Sequence, residues 1–130
     1  MREVWVSRFV QAHPSTVEEA LSPAAILEAE GSFSVRRTQA GGDRITVGGY
    51  GLELVFEFTS REDGIEYDQV EGPLETLRTT LSYERQDEGT RLAAHSAVAV
   101  GGPAVLDRLA AWKRRGELRR ALDGLTADFR

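Results

Sequence analysis

The sequence predicts an α+β fold: an antiparallel sheet of about seven strands, a long C-terminal helix to cover it, and two short helices between strands 1 and 2. Three observations carry this expectation. Apolar residues alternate at period two through most of residues 32–101, turn signals recur between the alternating runs, and the period becomes helical after Pro103. At 130 residues, 41% hydrophobic and 28% charged, the chain is expected to form one domain, 1–130, around one core.

Residues 3–11, EVWVSRFVQ, are rich in β-branched and aromatic types and predict the first strand. Ser15 followed three positions later by Glu18 predicts a capping box, with Val17, Ala20 and Leu21 as the apolar stripe of the helix it opens. Ser22 and Pro23 predict an N-cap and first position for a second helix, and Gly31 its stop. SFSVRRTQ then leads through Gly41-Gly42-Asp43, a hairpin signal, into RITVGGYG, where Gly48-Gly49 predicts a bulge or sharp bend. In LELVFEF, Leu52, Leu54, Phe56 and Phe58 share one face, opposite Glu53, Val55 and Glu57. IEYDQV, LETLRTTLSYER and TRLAAHSAVAV follow with short turns between, so six consecutive strands form an antiparallel meander.

After Pro103 two stripes compete. Val105, Leu109, Trp112 and Gly116 share one helix face, while Leu118, Leu122, Leu125 and Phe129 share another on nearly the opposite side. One straight helix cannot bury both against one surface, so a kink near Gly116 or a second contact surface is expected.

Composition excludes several classes. Without cysteine there are no disulfides and no thiolate chemistry. No apolar h-region opens the chain and no run approaches the roughly 18 apolar residues of a membrane span, so a cytoplasmic protein without a membrane partner is expected. The net charge is −5; residues 103–130 hold seven basic against four acidic side chains, a net of +3, which leaves −8 on the first 102. The basic run KRRGELRR spreads around its helix without stacking aromatics in an acidic chain, which predicts a solvated face and no nucleic-acid partner.

The segment VSRFVQAHPSTVEEAL, with Ala12, Pro14 and Val17, resembles the opening of the START-like SRPBCC superfamily, the polyketide cyclase/dehydrase and birch-pollen-allergen group. QVEGP at 69–73, EGTRL at 88–92 and VAVGGPAVLDRL at 98–109 look like corresponding family positions, so the resemblance spans nearly the whole chain. It implies a helix-grip fold, in which a curved antiparallel sheet wraps the C-terminal helix and often leaves an apolar cavity. Family functions range from lipid and hormone binding to aromatase/cyclase chemistry and co-chaperone work, so fold alone does not assign function. The chain lacks a lipid-transfer insertion, an iron–sulfur ligand set and the pollen-allergen type of glycine-rich loop, which argues against those activities.

Candidate site residues follow from strand alternation. Leu92, Ala94, Ser96, Val98 and Val100 oppose Ala93, His95, Ala97 and Ala99; the larger apolar set faces inward, so His95 is expected on the outer face rather than as a catalytic base. His13 is expected to be an exposed loop histidine, and two distant histidines make no metal site. Glu53 and Glu57 are expected on the solvated face, and one of Arg36 and Arg37 is placed to point inward. There is no nucleophile elbow and no residue pair that names a catalytic dyad. Tyr50, Leu54, Phe56, Phe58, Tyr67, Leu77, Leu81, Tyr83, Val98, Leu109 and Trp112 are expected to line a mostly apolar chamber, with Ala94 and Ser96 small enough to leave room at its floor. Two arrangements fit: an open pocket of about 300 Å³ or more for a small hydrophobic or aromatic molecule, without cofactor, or a chamber filled by its own side chains. The first gives a ligand-binding protein or a cofactor-independent cyclase or dehydratase. The second gives a protein-interaction module working through its edge strand or arginine-rich helix.

Overall fold

Alternation at period two builds a single seven-stranded sheet in the computed structural model, which describes residues 1–39, 41 and 43–129. The strands are β1 (Arg2–Val10), β2 (Ser34–Thr38), β3 (Arg44–Gly49), β4 (Leu52–Arg61), β5 (Gly64–Glu71), β6 (Thr76–Gln86) and β7 (Gly89–Ala99). Their order is β1-β7-β6-β5-β4-β3-β2, and every neighbouring pair is antiparallel. Strands β1 and β2 are therefore opposite edges, and the helices α1 (Pro14–Ala20) and α2 (Pro23–Glu30) carry the chain between them.

Local chemistry sets the helix ends. Ser22 accepts from the Ala25 N–H, Pro23 occupies the first turn, and Gly31 stops α2 at φ +80°, as its sequence predicts. Helix α1 starts earlier than the expected capping box. Pro14 has no N–H to satisfy and a fixed φ, so the helix begins there; His13 is the N-cap, its Nδ1 accepting from the Ser15 N–H at 3.3 Å. His13 is otherwise exposed, as expected.

The bend expected at Gly48-Gly49 lies elsewhere. The β3–β4 register runs unbroken from Arg44↔Glu57 to Gly49↔Leu52, and the register shifts instead between Val35 and Arg37 of β2 and, in the β4–β5 pairing, between Val55 and Phe56. Gly48 serves close approach instead: a Cβ there would lie 1.8 Å from Nε of Arg36, whose side chain crosses it. The tight turn is Tyr50-Gly51, with φ of +54° and +75°, a pair of left-handed residues that suits the twist of a two-residue hairpin. The turn expected at Gly41-Gly42-Asp43 falls in part on residue 42, outside the described residues.

Helix α3 (Ala104–Leu125) runs without a break through Gly116. Its buried face is a single stripe of Arg114, Glu117, Leu118, Ala121, Leu122 and Leu125, which packs on β1, β7 and α2. The competing stripe at its N-terminal half is left in water, with Val105, Leu106, Leu109 and Trp112 exposed. The core is thus the inner face of the sheet, from Val4 through Leu92 and Leu81 to Ile45, closed by Ile26, Leu118 and Leu122 of the helices.

Candidate functional site

Ser96, Thr79 and Tyr67 occupy one row across β7, β6 and β5, in register and on the inner face. Each is fully buried, so a strip of three polar side chains crosses an otherwise apolar surface. Such a strip is stable only if its donors and acceptors are paired. Arg114, itself 3% exposed, descends from α3 onto it.

All five guanidinium N–H groups find acceptors. Nε donates to Ser96 Oγ at 3.1 Å, and Nη1 donates to Glu30 Oε1 at 2.5 Å and Glu117 Oε1 at 3.2 Å. Nη2 donates to Tyr67 Oη at 2.6 Å and Thr79 Oγ1 at 2.7 Å. Tyr67 passes its own proton to a hydrogen bond with Glu30 Oε2, and the Thr79 and Ser96 hydroxyls lie 2.9 Å apart. The second oxygen of Glu117 accepts from the Ser32 hydroxyl and from Lys113 Nζ, the latter at 3.0 Å. Two cations, Arg114 and Lys113, thereby face two carboxylates, Glu30 and Glu117.

The same environment sets the protonation states. Burial works against the charge on Arg114, but Glu30, the Tyr67 phenol and Glu117 outweigh it and hold the guanidinium well above its ordinary pKa. Burial also pushes against the Glu117 carboxylate; Arg114, Ser32 and Lys113 reverse that push and lower its pKa. Burial drives the Tyr67 phenol strongly upward and Glu30 adds to it, against the opposing Arg114, so this phenol keeps its proton at neutral pH.

Beside this network lies a cavity of about 170 Å³. Leu27, Phe33, Leu54, Phe56, Leu77 and Val98 form apolar walls, Ala110 of α3 lies over it, and Glu30, Arg114 and Glu117 make its polar end. The expected chamber therefore divides. Four of its predicted residues, Leu54, Phe56, Leu77 and Val98, line the cavity. Phe58, Tyr67, Leu81, Ala94 and Ser96 are buried but lie outside its wall, with the Phe58 and Tyr67 rings stacked at 4.7 Å. The room left above Ser96 is taken by the Arg114 guanidinium, so the space opens toward β4 and β6 instead. Tyr83 is half-buried near the far end of β6.

Three predicted lining residues point away. Tyr50 is 85% exposed because it sits in the β3–β4 turn, and Leu109 and Trp112 are 60% and 74% exposed because α3 turns its other face to the sheet. Neither Arg36 nor Arg37 is buried; Arg37 pairs with Glu53 and Arg44 with Glu57 on the outer surface. The inward arginine is Arg114, and the solvated face expected of KRRGELRR is wrong for Arg114 and Glu117. A signal for it exists: Arg114 continues the Leu118, Leu122, Leu125 stripe four residues upstream, at the spacing of a shared helix face. Thr79 shares the inward parity of Leu77 and Leu81, and Glu30 continues the Ile26 and Leu27 face of α2, so both are also legible by spacing.

His95 lies on the outer face as its strand parity predicts, stacked on Trp5 at 3.8 Å with Nε2 3.0 Å from Glu3 Oε1. Among the described residues no group of three or more His, Asp or Glu is placed to hold a metal ion, and no helix is long and apolar enough to cross a membrane.

No family model matches the sequence, and neither does any curated protein. Solved structures do. The chain superposes on the protein XoxI from Bacillus cereus with a TM-score of 0.81 at 14% identity, covering 99% of this chain and 96% of that one. A START superfamily protein from Mycobacterium smegmatis matches with a TM-score of 0.70 at 17% identity over 98% and 99% of the two chains. Ara h 8.0201 matches at 0.63 and 11% identity over 97% and 98%. At such identities the likeness is one of fold alone, and the fold is an α+β helix grip.

Proposed function

We propose that this helix-grip protein binds a small, neutral, largely apolar molecule, aromatic or short and aliphatic, in the cavity between the sheet and helices α2 and α3. The observation that carries the reading is the contrast between the cavity's two ends. Its walls are apolar, and the five N–H groups at its polar end are already engaged by protein acceptors. An anionic ligand would have to displace Glu30 or Glu117 from Arg114, or compete with Glu117 for Lys113, whereas an uncharged one leaves that network intact.

The volume bounds the ligand. At about 170 Å³ the cavity falls short of the roughly 300 Å³ typical of larger ligands and is close to the ~150 Å³ that accommodates benzene. One ring with a small substituent fits. Binding is favoured over turnover because a cyclase or dehydratase needs a group free to move a proton. Here Glu30, Glu117 and Tyr67 are each held in charge-assisted hydrogen bonds.

The test compares toluene with benzoate by thermal unfolding and native mass spectrometry. Toluene is expected to raise the thermal midpoint in a saturable way and benzoate to leave it unchanged. Ala110→Phe, which fills the space beneath α3, is expected to abolish the toluene shift. Equal shifts by both compounds, or a toluene shift that survives Ala110→Phe, would contradict the assignment.

A further inference from the structure

A second concavity, about 690 Å³, opens on the surface and shares only Ser32 and Lys113 with the apolar cavity. Two aromatic rings, Tyr50 and Trp112, and four cations, Lys113, Arg115, Arg119 and Arg120, line it, and no acidic side chain does. The backbone is bare at Gly31 and Gly116; a Cβ at Gly116 would meet only the end of Arg120, at 3.6 Å.

Each component is in excess of what folding asks of it. Tyr50 is 85% exposed in a left-handed backbone conformation that favours glycine or asparagine, so its ring is held outward at a conformational cost, edge-on to Phe33 at 6.1 Å. Trp112 leaves most of an indole in water. Among the described residues Arg115 and Arg119 have no hydrogen-bond or ion-pair partner, and Arg120 uses only Nε, on the Glu30 carbonyl at 2.9 Å. Exposed aromatic faces beside unpaired guanidinium forks recognise a planar ring that carries a phosphate: the ring stacks, and the phosphate takes the forks.

Charge distribution limits the size of the guest. The first 102 residues carry −8, so a long polyanion leaving the concavity would meet a part of the protein that is net negative. A small anion would be drawn in without that penalty.

We propose that the concavity bounded by Tyr50, Trp112, Arg115 and Arg119 binds a small aromatic phosphate of the mononucleotide class. The chain has two tryptophans, and Trp5 stacks on His95 on the outer sheet face, so Trp5→Phe leaves Trp112 as the only indole reporter. AMP titrated into that protein at low salt is expected to quench Trp112 fluorescence saturably. Adding Arg115→Ala and Arg119→Ala is expected to weaken AMP about tenfold or more, with circular dichroism unchanged, because both side chains are exposed and unpaired. Adenosine and inorganic phosphate are each expected to bind at least about tenfold more weakly than AMP, since each supplies half of the recognition. The proposal is overturned by an absence of saturable quenching, by adenosine or phosphate matching AMP, by indifference to the two arginine substitutions, or by a single-stranded 12-mer binding more tightly than AMP.

Discussion

Each face of helix α3 carries exceptions to the usual rule. Toward the sheet it presents Arg114 and Glu117, each under 10% exposed; toward water it presents Val105, Leu109 and Trp112. Position on a helix is decided by what each side chain can be paired with, not by polarity alone. Arg114 is buried because Ser96, Thr79, Tyr67, Glu30 and Glu117 together satisfy it, and the apolar outer residues stay outside because α3 turns its Leu118, Leu122 and Leu125 face to the sheet. The buried polar cluster also explains why an open space persists next to it. Side chains locked by five directed hydrogen bonds cannot slide to fill a neighbouring apolar gap.

The contrast is broken most severely at its centre. Arg114→Ala leaves the buried Glu30 carboxylate without a cation and Glu117 with Lys113 alone, and a loss of about 3–5 kcal/mol is expected in urea unfolding. A loss below about 1 kcal/mol would mean that the network contributes little. Tyr67→Phe keeps the ring stack but removes one donor to Glu30 and one acceptor for Arg114, and about 1–3 kcal/mol is expected from the same measurement.

Acid probes the network without substitution. Because the Glu117 pKa is lowered in the folded state, its contribution is present above the ordinary carboxylate pKa and is lost as pH falls through the folded value. Stability should therefore fall on acidification below about pH 4.5, the ordinary value, and Glu117→Gln should flatten part of that fall when urea midpoints are plotted against pH. An identical acid limb in wild type and variant would show that Glu117 is not the coupled group. At the other extreme, Leu109→Ser and Trp112→Ser on the outer face should change stability by no more than about 0.5 kcal/mol. A larger loss would mean that the outer face contributes to folding.

Sequence reading reached the sheet more readily than the site. Leu54, Phe56 and Phe58 alternate with Glu53, Val55 and Glu57, and Ser22, Pro23 and Gly31 bracket α2, so strand faces and one helix could be placed from neighbouring residues alone. Ala94 and Ser96 were legible as inward and small, but the occupant of the space above Ser96 was not, since Arg114 comes from an element 18 residues away. Hydrophobicity alone points Val105, Leu109 and Trp112 at the sheet, whereas the Leu118, Leu122, Leu125 stripe extended upstream through Arg114 marks the face that is buried. Tyr50 misled for a different reason. Its parity extends the inward set of β4, Leu54, Phe56 and Phe58, upstream, but Tyr50 and Gly51 form a turn whose geometry overrides alternation.

The most direct test of an apolar cavity under the buried face of α3 is a methyl NMR titration with toluene. Saturable shifts are predicted at Leu27, Leu54, Leu77 and Val98, with Val105 and Leu109 unmoved. Shifts confined to Val105, Leu106 and Leu109, or no saturable shift at all, would contradict the account.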